Sequence, residues 1–228
     1  KFPANGYSKN DLLEEYIKLV DIFSNKFNSQ YIPQWKGMLY EGFKFDNGFT
    51  MQGYKSDHYR FDSYKKLPFL PFNKIKGKDV LDIGSNHGFF SLQASLHGAR
   101  EVIGVELDKN NIKVANKLKE IMNIKNVSFI NQDITKYIFE SEKKYELIMM
   151  SSVLHQIYKN FKNSDSFLNE LSNKCNYFAF ETPVNHHTVK LRLSSIHKKL
   201  QKYFSVVRIQ NVYDAYSSGY RATFICYK

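Results

Sequence analysis

Apolar positions along the chain fall into two rhythms that alternate. After Ser8, a helix-capping residue type, Leu12, Leu13, Tyr16, Ile17, Val20, Phe23 and Phe27 recur at helical spacing and predict an N-terminal helix packed on a core. Between Gln30 and Tyr54 the period shortens, with Phe43 and Phe45 alternating before Asn47-Gly48 and Phe49 and Met51 after it. Asn-Gly between alternating apolar residues is the strongest short hairpin signal. A β-hairpin outside the main sheet is therefore expected, carried with Trp35, Tyr40 and Tyr54, either as a structural flap or as a substrate lid. A helix over 56–67 leads to a strand at 78–82. Strand-like and helix-like segments then take turns: EVIGVE, a helix through Ile112, Val114, Ala115, Leu118 and Ile121, a strand at 127–130, a loop holding Asp133, and YELIMM. A helix over 161–173, the strand YFAF, a basic helix over 187–204 and two strands at 206–212 and 221–227 complete the order. Such alternation predicts an α/β fold with a doubly wound parallel sheet. Residues 1–70 read as a helical and hairpin cap, and residues 71–228 as the core domain.

The stretch DVLDIGSNHGFFSL, residues 79–92, is where the rhythm switches. A short apolar run broken by Asp82 stops at Gly84, and a helical pattern begins after Gly88 with Phe89, Phe90 and Leu92. Glycine lets the backbone turn sharply and approach a ligand, and a helix start offers unpaired N–H groups, which suits a nucleotide-like cofactor. Asp82 narrows the choice. A carboxylate two residues before the first glycine would repel a pyrophosphate, but it suits a cofactor carrying an ammonium and a sulfonium, S-adenosyl-L-methionine. Glu106, eighteen residues beyond Gly88 at the end of EVIGVE, can accept two hydrogen bonds from vicinal ribose hydroxyls. Asp108 is the more natural cap for the helix that follows, which leaves Glu106 for the ribose.

On these residues the sequence resembles the class I S-adenosylmethionine-dependent methyltransferases. The resemblance implies a Rossmann-like, seven-stranded, mostly parallel sheet with an antiparallel C-terminal strand. Asp82, Gly84, Ser85, Asn86 and Gly88 follow the family pattern D-x-G-x-G-x-G, with Asn86 where the middle glycine is usual; asparagine tolerates positive φ. The resemblance implies that Asp82 lies behind the cofactor's amino-acid end and that the loop from Gly84 to Phe89 runs along its methionine portion. It also implies that Glu106 holds the ribose, that Leu107 contacts the cofactor, that Asp133 receives the adenine amino group with Ile134 beside the ring, and that Ser151 lines the cofactor. Arg60, next to Tyr59 ahead of the core, is a candidate clamp for the cofactor carboxylate or the member of an ordinary surface salt bridge. Two further likenesses touch the substrate. The order Ser56-Asp57, Leu67-Pro68, Gly77 and VLDIG is similar to the lead-in of the carboxymethyl-transferring enzymes of the tRNA wobble uridine, with a wider gap before Leu67-Pro68. VLDIGSNHGFFSL with SSVLHQI looks like the methyltransferase half of enzymes that cap polysaccharide chains.

Charge enters next. A net charge of +11 invites an anionic partner, yet most of it is lysine scattered among asparagines. The arginines that would read phosphates or bases are Arg60, Arg100, Arg192, Arg208 and Arg221, spread along the chain. A solvated lysine surface is the reading preferred over a nucleic-acid face. Cys175 and Cys226 lie in or beside apolar runs without metal-ligand spacing and read as reduced, buried thiols. No apolar stretch approaches membrane-spanning length and KFPANGYSKN is not a signal peptide, so a soluble cytoplasmic protein is expected.

The acceptor half of the chemistry rests on histidines. His155, in SSVLHQIYK after the fourth core strand, is either a general base for an attacking hydroxyl or a packed structural residue. Glu181 with His186-His187 suggests a second acid/base pair or a metal site, but the Glu and His set with fixed helical spacing that a metal would need is missing. Metal independence is expected, with His186 kept as a second candidate at the substrate. The expected function is O-methylation of a small polar acceptor such as a sugar, sugar nucleotide or surface-polysaccharide precursor; the alternative is an RNA (tRNA) methyltransferase.

Overall fold

The computed structural model describes residues 1–24, 39–53, 63–158, 163–184, 192–214 and 220–228. Helix α1 (Lys9–Ser24) starts where Ser8 Oγ accepts from the Asp11 amide and Asp11 Oδ2 accepts from the Ser8 amide, a reciprocal cap. Leu12, Leu19 and Val20 are buried, but Leu13 and Ile17 are 46% and 54% exposed, so the inward stripe is narrower than the apolar pattern suggests.

The predicted hairpin is present as β1 (Phe43–Lys44) and β2 (Thr50–Met51), antiparallel, pairing Phe43 with Met51 and Lys44 with Thr50. Asn47 Oδ1 accepts from the Phe49 amide, and Gly48 takes φ +86° at the bend. The chain's first residues are stitched onto it: the Phe2 amide donates to the Lys44 carbonyl and the Asp46 amide donates to the Phe2 carbonyl, both at 2.9 Å. Its inner side chains are core. Phe2, Phe43, Phe45 and Met51 are fully enclosed, and each such aromatic contributes about 1.5–3 kcal/mol through burial. The predicted helix at 56–67 falls partly outside the described residues; within them, residues Ser63–Phe69 form a 3₁₀ segment.

The core follows as β3 (Asp79–Ile83), α2 (Phe89–Leu96), β4 (Glu101–Glu106), α3 (Lys109–Ile121), β5 (Val127–Asn131), α4 (Ile134–Glu140) and β6 (Tyr145–Ser151). It continues through α5 (Leu154–Ile157), α6 (Asp165–Lys174), β7 (Cys175–Val184), α7 (Leu193–Leu200), β8 (Val206–Asp214) and β9 (Tyr220–Tyr227). Strands β3 to β9 make one sheet in the order β5-β4-β3-β6-β7-β9-β8, parallel except for β9, which runs against both its neighbours. The basic helix expected over 187–204 is described as the shorter α7, with 185–191 outside the described residues.

Alternate side chains of each strand enter different layers, because successive residues of a strand face opposite ways. Val80, Val102, Leu147 and Met149 join α1, α2, α3 and the cap, whereas Leu81, Ile83, Ile103 and Met150 join α4 to α7. With helices on both faces, the inner strands can be almost continuously apolar. The chain leaves β3 for β4 and β5 on one side and then crosses to β6 on the other. The loops after β3 and β6 therefore part at the carboxyl edge, where a crevice opens.

Candidate active site

The crevice is a cavity of about 490 Å³. One wall is the loop from Gly84 to Gly88, in which Gly84, Asn86 and Gly88 take φ of +70°, +50° and +79°. Asn86 thus does adopt the left-handed conformation that its place in the glycine pattern requires. The amides of Gly84 and Ser85 both donate to the Val105 carbonyl, at 2.8 and 3.2 Å, which folds the loop back over β4. The facing wall is the loop after β6, where a Cβ on Gly84 would stand 2.3 Å from Val153 Cγ2. Ser152 there holds φ +61°, an unusual conformation for a side chain other than Gly or Asn.

Asp82 is buried at the loop's base and accepts 2.7 Å from Ser91 Oγ. Burial pushes its carboxyl up to about 6 against the Ser91 hydrogen bonds, and the charge of Glu106 adds to the rise. Glu106 is held by its own surroundings: Oε2 accepts from the Asn86 amide at 3.0 Å and Oε1 from the Asp108 amide at 2.9 Å. A carboxylate has about four lone-pair sites, so each oxygen keeps one for a ligand. Asp108 caps α3 as anticipated, accepting from the Asn110 and Asn111 amides. Asp108→Ala is expected to cost about 1 kcal/mol, read as a lowered urea midpoint. Asp133 caps α4 with Oδ1, which accepts from the Thr135 amide, the Thr135 hydroxyl and the Lys136 amide. These bonds hold its carboxyl below the usual range, ionised and fixed in direction.

Of the residues singled out in the sequence, Asp82, Gly84, Ser85, Asn86, Glu106, Leu107, Asp133, Ile134 and Ser151 line this one cavity. Phe89 does not. It is enclosed beneath the cap, 5.7 Å from the Phe2 ring and 4.9 Å from Tyr64, and Phe90 faces the cavity in its place. Gly88 packs instead against Phe129, whose Cζ would lie 2.4 Å from an added Cβ. Arg60 and His186 lie outside the described residues; His155 is in α5, and its side chain is outside them too.

The sequence singled out Glu181 but not the cations that meet it, Lys66 and Arg221, which line the cavity. Glu181, at the end of β7, is buried with Lys66 Nζ 2.8 Å from Oε2 and Arg221 Nη1 3.0 Å from Oε1. Ser152 Oγ donates to Oε1 at 2.8 Å and also receives Arg221 Nη1. Burial resists ionisation of Glu181, but Lys66 and Arg221 outweigh it and hold the carboxyl at about 2. Its basicity is spent on these partners; His186-His187, with which the sequence paired it as an acid/base or metal set, lie outside the described residues. Arg221 carries the one available signal, a guanidinium inside the apolar strand YRATFICY, which demands a buried partner. Glu41, ahead of the hairpin, also faces the cavity and had no local signature.

A test of cofactor fit comes from polar atoms in the wall. Glu41 Oε2, Ser85 Oγ, Asn86 Oδ1 and Asn111 Oδ1 are buried without a hydrogen-bond partner among the described residues, and all four residues line the cavity. Buried polar groups are rarely left unpaired, so the wall is built for a polar ligand. The lining carboxylates Glu41, Asp82, Glu106 and Asp133 suit a cationic ligand and oppose a pyrophosphate.

Comparison with known proteins agrees. A family profile described as a methyltransferase domain matches residues 74–218. An uncharacterized RNA methyltransferase of Mycoplasma mobile is 28% identical over 160 residues, 64% of this chain and 43% of that protein. A ribosomal protein L11 methyltransferase of Thermoanaerobacter is 24% identical over 144 residues, 63% of this chain and 43% of that protein. The chain spans less than half the length of these two relatives. Among solved structures, magnesium protoporphyrin IX methyltransferase from Synechocystis PCC 6803 with bound S-adenosylmethionine superposes with a TM-score of 0.63 at 13% identity, covering 98% of this chain and 99% of that one. The bifunctional kinase-methyltransferase WbdD gives 0.59 at 21% identity, over 74% of this chain and 37% of that one. At such identities the structural likenesses establish the fold, while the family match covers well over half of the chain. The protein belongs to the methyltransferase domain family.

Proposed function

We propose that this chain transfers a methyl group to an oxygen of a small polar acceptor, such as a sugar, a sugar nucleotide or a surface-polysaccharide precursor. The observation that carries the reading is that Ser151, Ser152, Lys66 and Arg221, gathered around Glu181, line the cavity with polar side chains; a hydroxyl that donates to Glu181 can still accept, and the Lys66 ammonium has further N–H groups. A polyhydroxylated ligand uses such a set better than an apolar one does. The likeness of VLDIGSNHGFFSL and SSVLHQI to polysaccharide-capping enzymes points the same way.

In this reading the loop from Gly84 to Asn86 and Asp82 receive the cofactor's amino-acid end, and Glu106 takes the ribose. Leu107 and Ile134 flank the adenine, and the fixed carboxylate of Asp133 accepts from its amino group. The cofactor supplies a methyl group bound to sulfonium sulfur. Ser151 lines the cofactor, the turn at Ser152 and Val153 orients the acceptor oxygen, and His155, which follows that turn in sequence, is the candidate base for the hydroxyl proton. An RNA acceptor is the second reading, favoured by the net charge of +11 and by the relative from Mycoplasma mobile.

The test has two parts. Calorimetry with S-adenosylmethionine is expected to show binding that Glu106→Ala weakens by about a hundredfold, since two charge-assisted hydrogen bonds and the anchor of the Asn86 amide are lost together. Transfer of labelled methyl groups is then followed into glycan precursors and into RNA. Label that ribonuclease releases, with none in the glycan pool, would replace the first reading by the second.

A further inference from the structure

We propose that Glu41 and Asp82 together form a paired-carboxylate receptor for the α-ammonium of the cofactor, so that the N-terminal cap supplies one half of this subsite.

Both residues are buried and both line the cavity, Glu41 at 6% exposure and Asp82 at 2%. They arrive from unrelated parts of the chain, Glu41 just ahead of β1 and Asp82 from the end of β3. Asp82 is partnered by Ser91 through Oδ2. Glu41 is served less well: Oε1 accepts a long 3.3 Å bond from Ser63 Oγ, and Oε2 has no partner among the described residues. The cation that acts on it, Lys66, is engaged with Glu181 Oε2 at 2.8 Å.

Two carboxylates in one dry wall cannot both carry charge comfortably. Burial pushes the Glu41 carboxyl up to about 8, with the charge of Asp82 adding to the rise while Lys66, Ser63 and the Phe89 amide oppose it. These groups act on Glu41 from the 3₁₀ segment, β3 and α2, and among the described residues Glu106, Asp133 and Arg221 are the other charged groups that line the same cavity. At neutral pH the free protein therefore holds a proton here that a cation would displace. An incoming ammonium keeps its own three protons and donates to Glu41 Oε2. The Glu41 carboxyl loses its proton to buffer, and charge balances with one proton released. The inference rests on this cavity being the cofactor site, and Glu41 adds to what the glycine-loop pattern predicts.

The experiment titrates the whole chain with S-adenosylhomocysteine and with 5′-methylthioadenosine, which lacks the amino-acid end. In the native protein, the first ligand is expected to release protons at pH 7, seen as a binding heat that changes with the buffer's ionisation enthalpy. Glu41→Gln, an isosteric change, is expected to abolish most of that release and weaken S-adenosylhomocysteine by about ten- to a hundredfold. Methylthioadenosine, which also reports that the variant is folded, is expected to stay within about twofold. Equal losses for both ligands, or an unchanged affinity for S-adenosylhomocysteine, would overturn the assignment. Failure of the native protein to bind either ligand would instead remove the cofactor site itself.

Discussion

Glu181→Gln is expected to destabilise the protein by about 3–5 kcal/mol at neutral pH, the usual cost of removing one member of a buried ion pair. The reason is the company left behind. Lys66 and Arg221 have side chains only 12% and 6% exposed, and both spend their charge on this one carboxylate. A neutral amide would leave two cations buried without an anion among these three groups. The pH dependence has a definite sign. The folded carboxyl is held at about 2 against an ordinary 4.5, so its stabilisation is complete above about pH 4.5 and is lost as pH falls towards 2. Urea unfolding at pH 7 and at pH 3 checks both statements. The two proteins should differ widely at pH 7 and draw together at pH 3. A gap at pH 7 below about 1 kcal/mol, the range of an exposed salt bridge, would mean that water reaches the cluster freely.

Gly84→Ala is expected to lower affinity for S-adenosylmethionine at least a hundredfold, by about 3 kcal/mol, while circular dichroism stays native. Two costs coincide at this position. The φ of +70° is strained for any residue with a Cβ, by roughly 1–2 kcal/mol, and the new methyl would sit 2.3 Å from Val153 Cγ2. Both groups belong to the loops that part to make the cavity, so relief comes only by moving one of its walls. Val153→Ala removes the clashing methyl. The double variant should recover part of the lost affinity, and strict additivity of the two changes would show that the contact is not the cause.

Much of the cavity lining was legible in the sequence because its residues obey local rules. Asp82, Glu106 and Asp133 each stand at the carboxyl end of a strand or just beyond it, and Asp108 and Asp133 are capping residues with amides two and three positions onward. The hairpin was legible for the same reason, since Asn47-Gly48 fixes its own bend. The misreadings are tertiary. Phe89 sits one residue after the glycine loop and by spacing belongs to the ligand, but the aromatic cap covers it. Leu13 and Ile17 continue an apolar helical period whose neighbours cover only part of it. Lys66, Glu181 and Arg221 meet from the 3₁₀ segment, β7 and β9, and no short-range pattern announces a contact between elements so far apart.

The pairing of Phe2 with the hairpin couples the beginning of the chain to the start of α2. Phe2 touches both Phe43 and Phe89, and Phe89 opens the helix whose first amide faces Glu41. Replacing Phe2 is therefore expected to perturb ligand affinity as well as packing. If a ligand engages Glu41, the amides of Phe2 and Asp46, which bond across the hairpin, are expected to gain protection from hydrogen exchange, a remote gauge of occupancy.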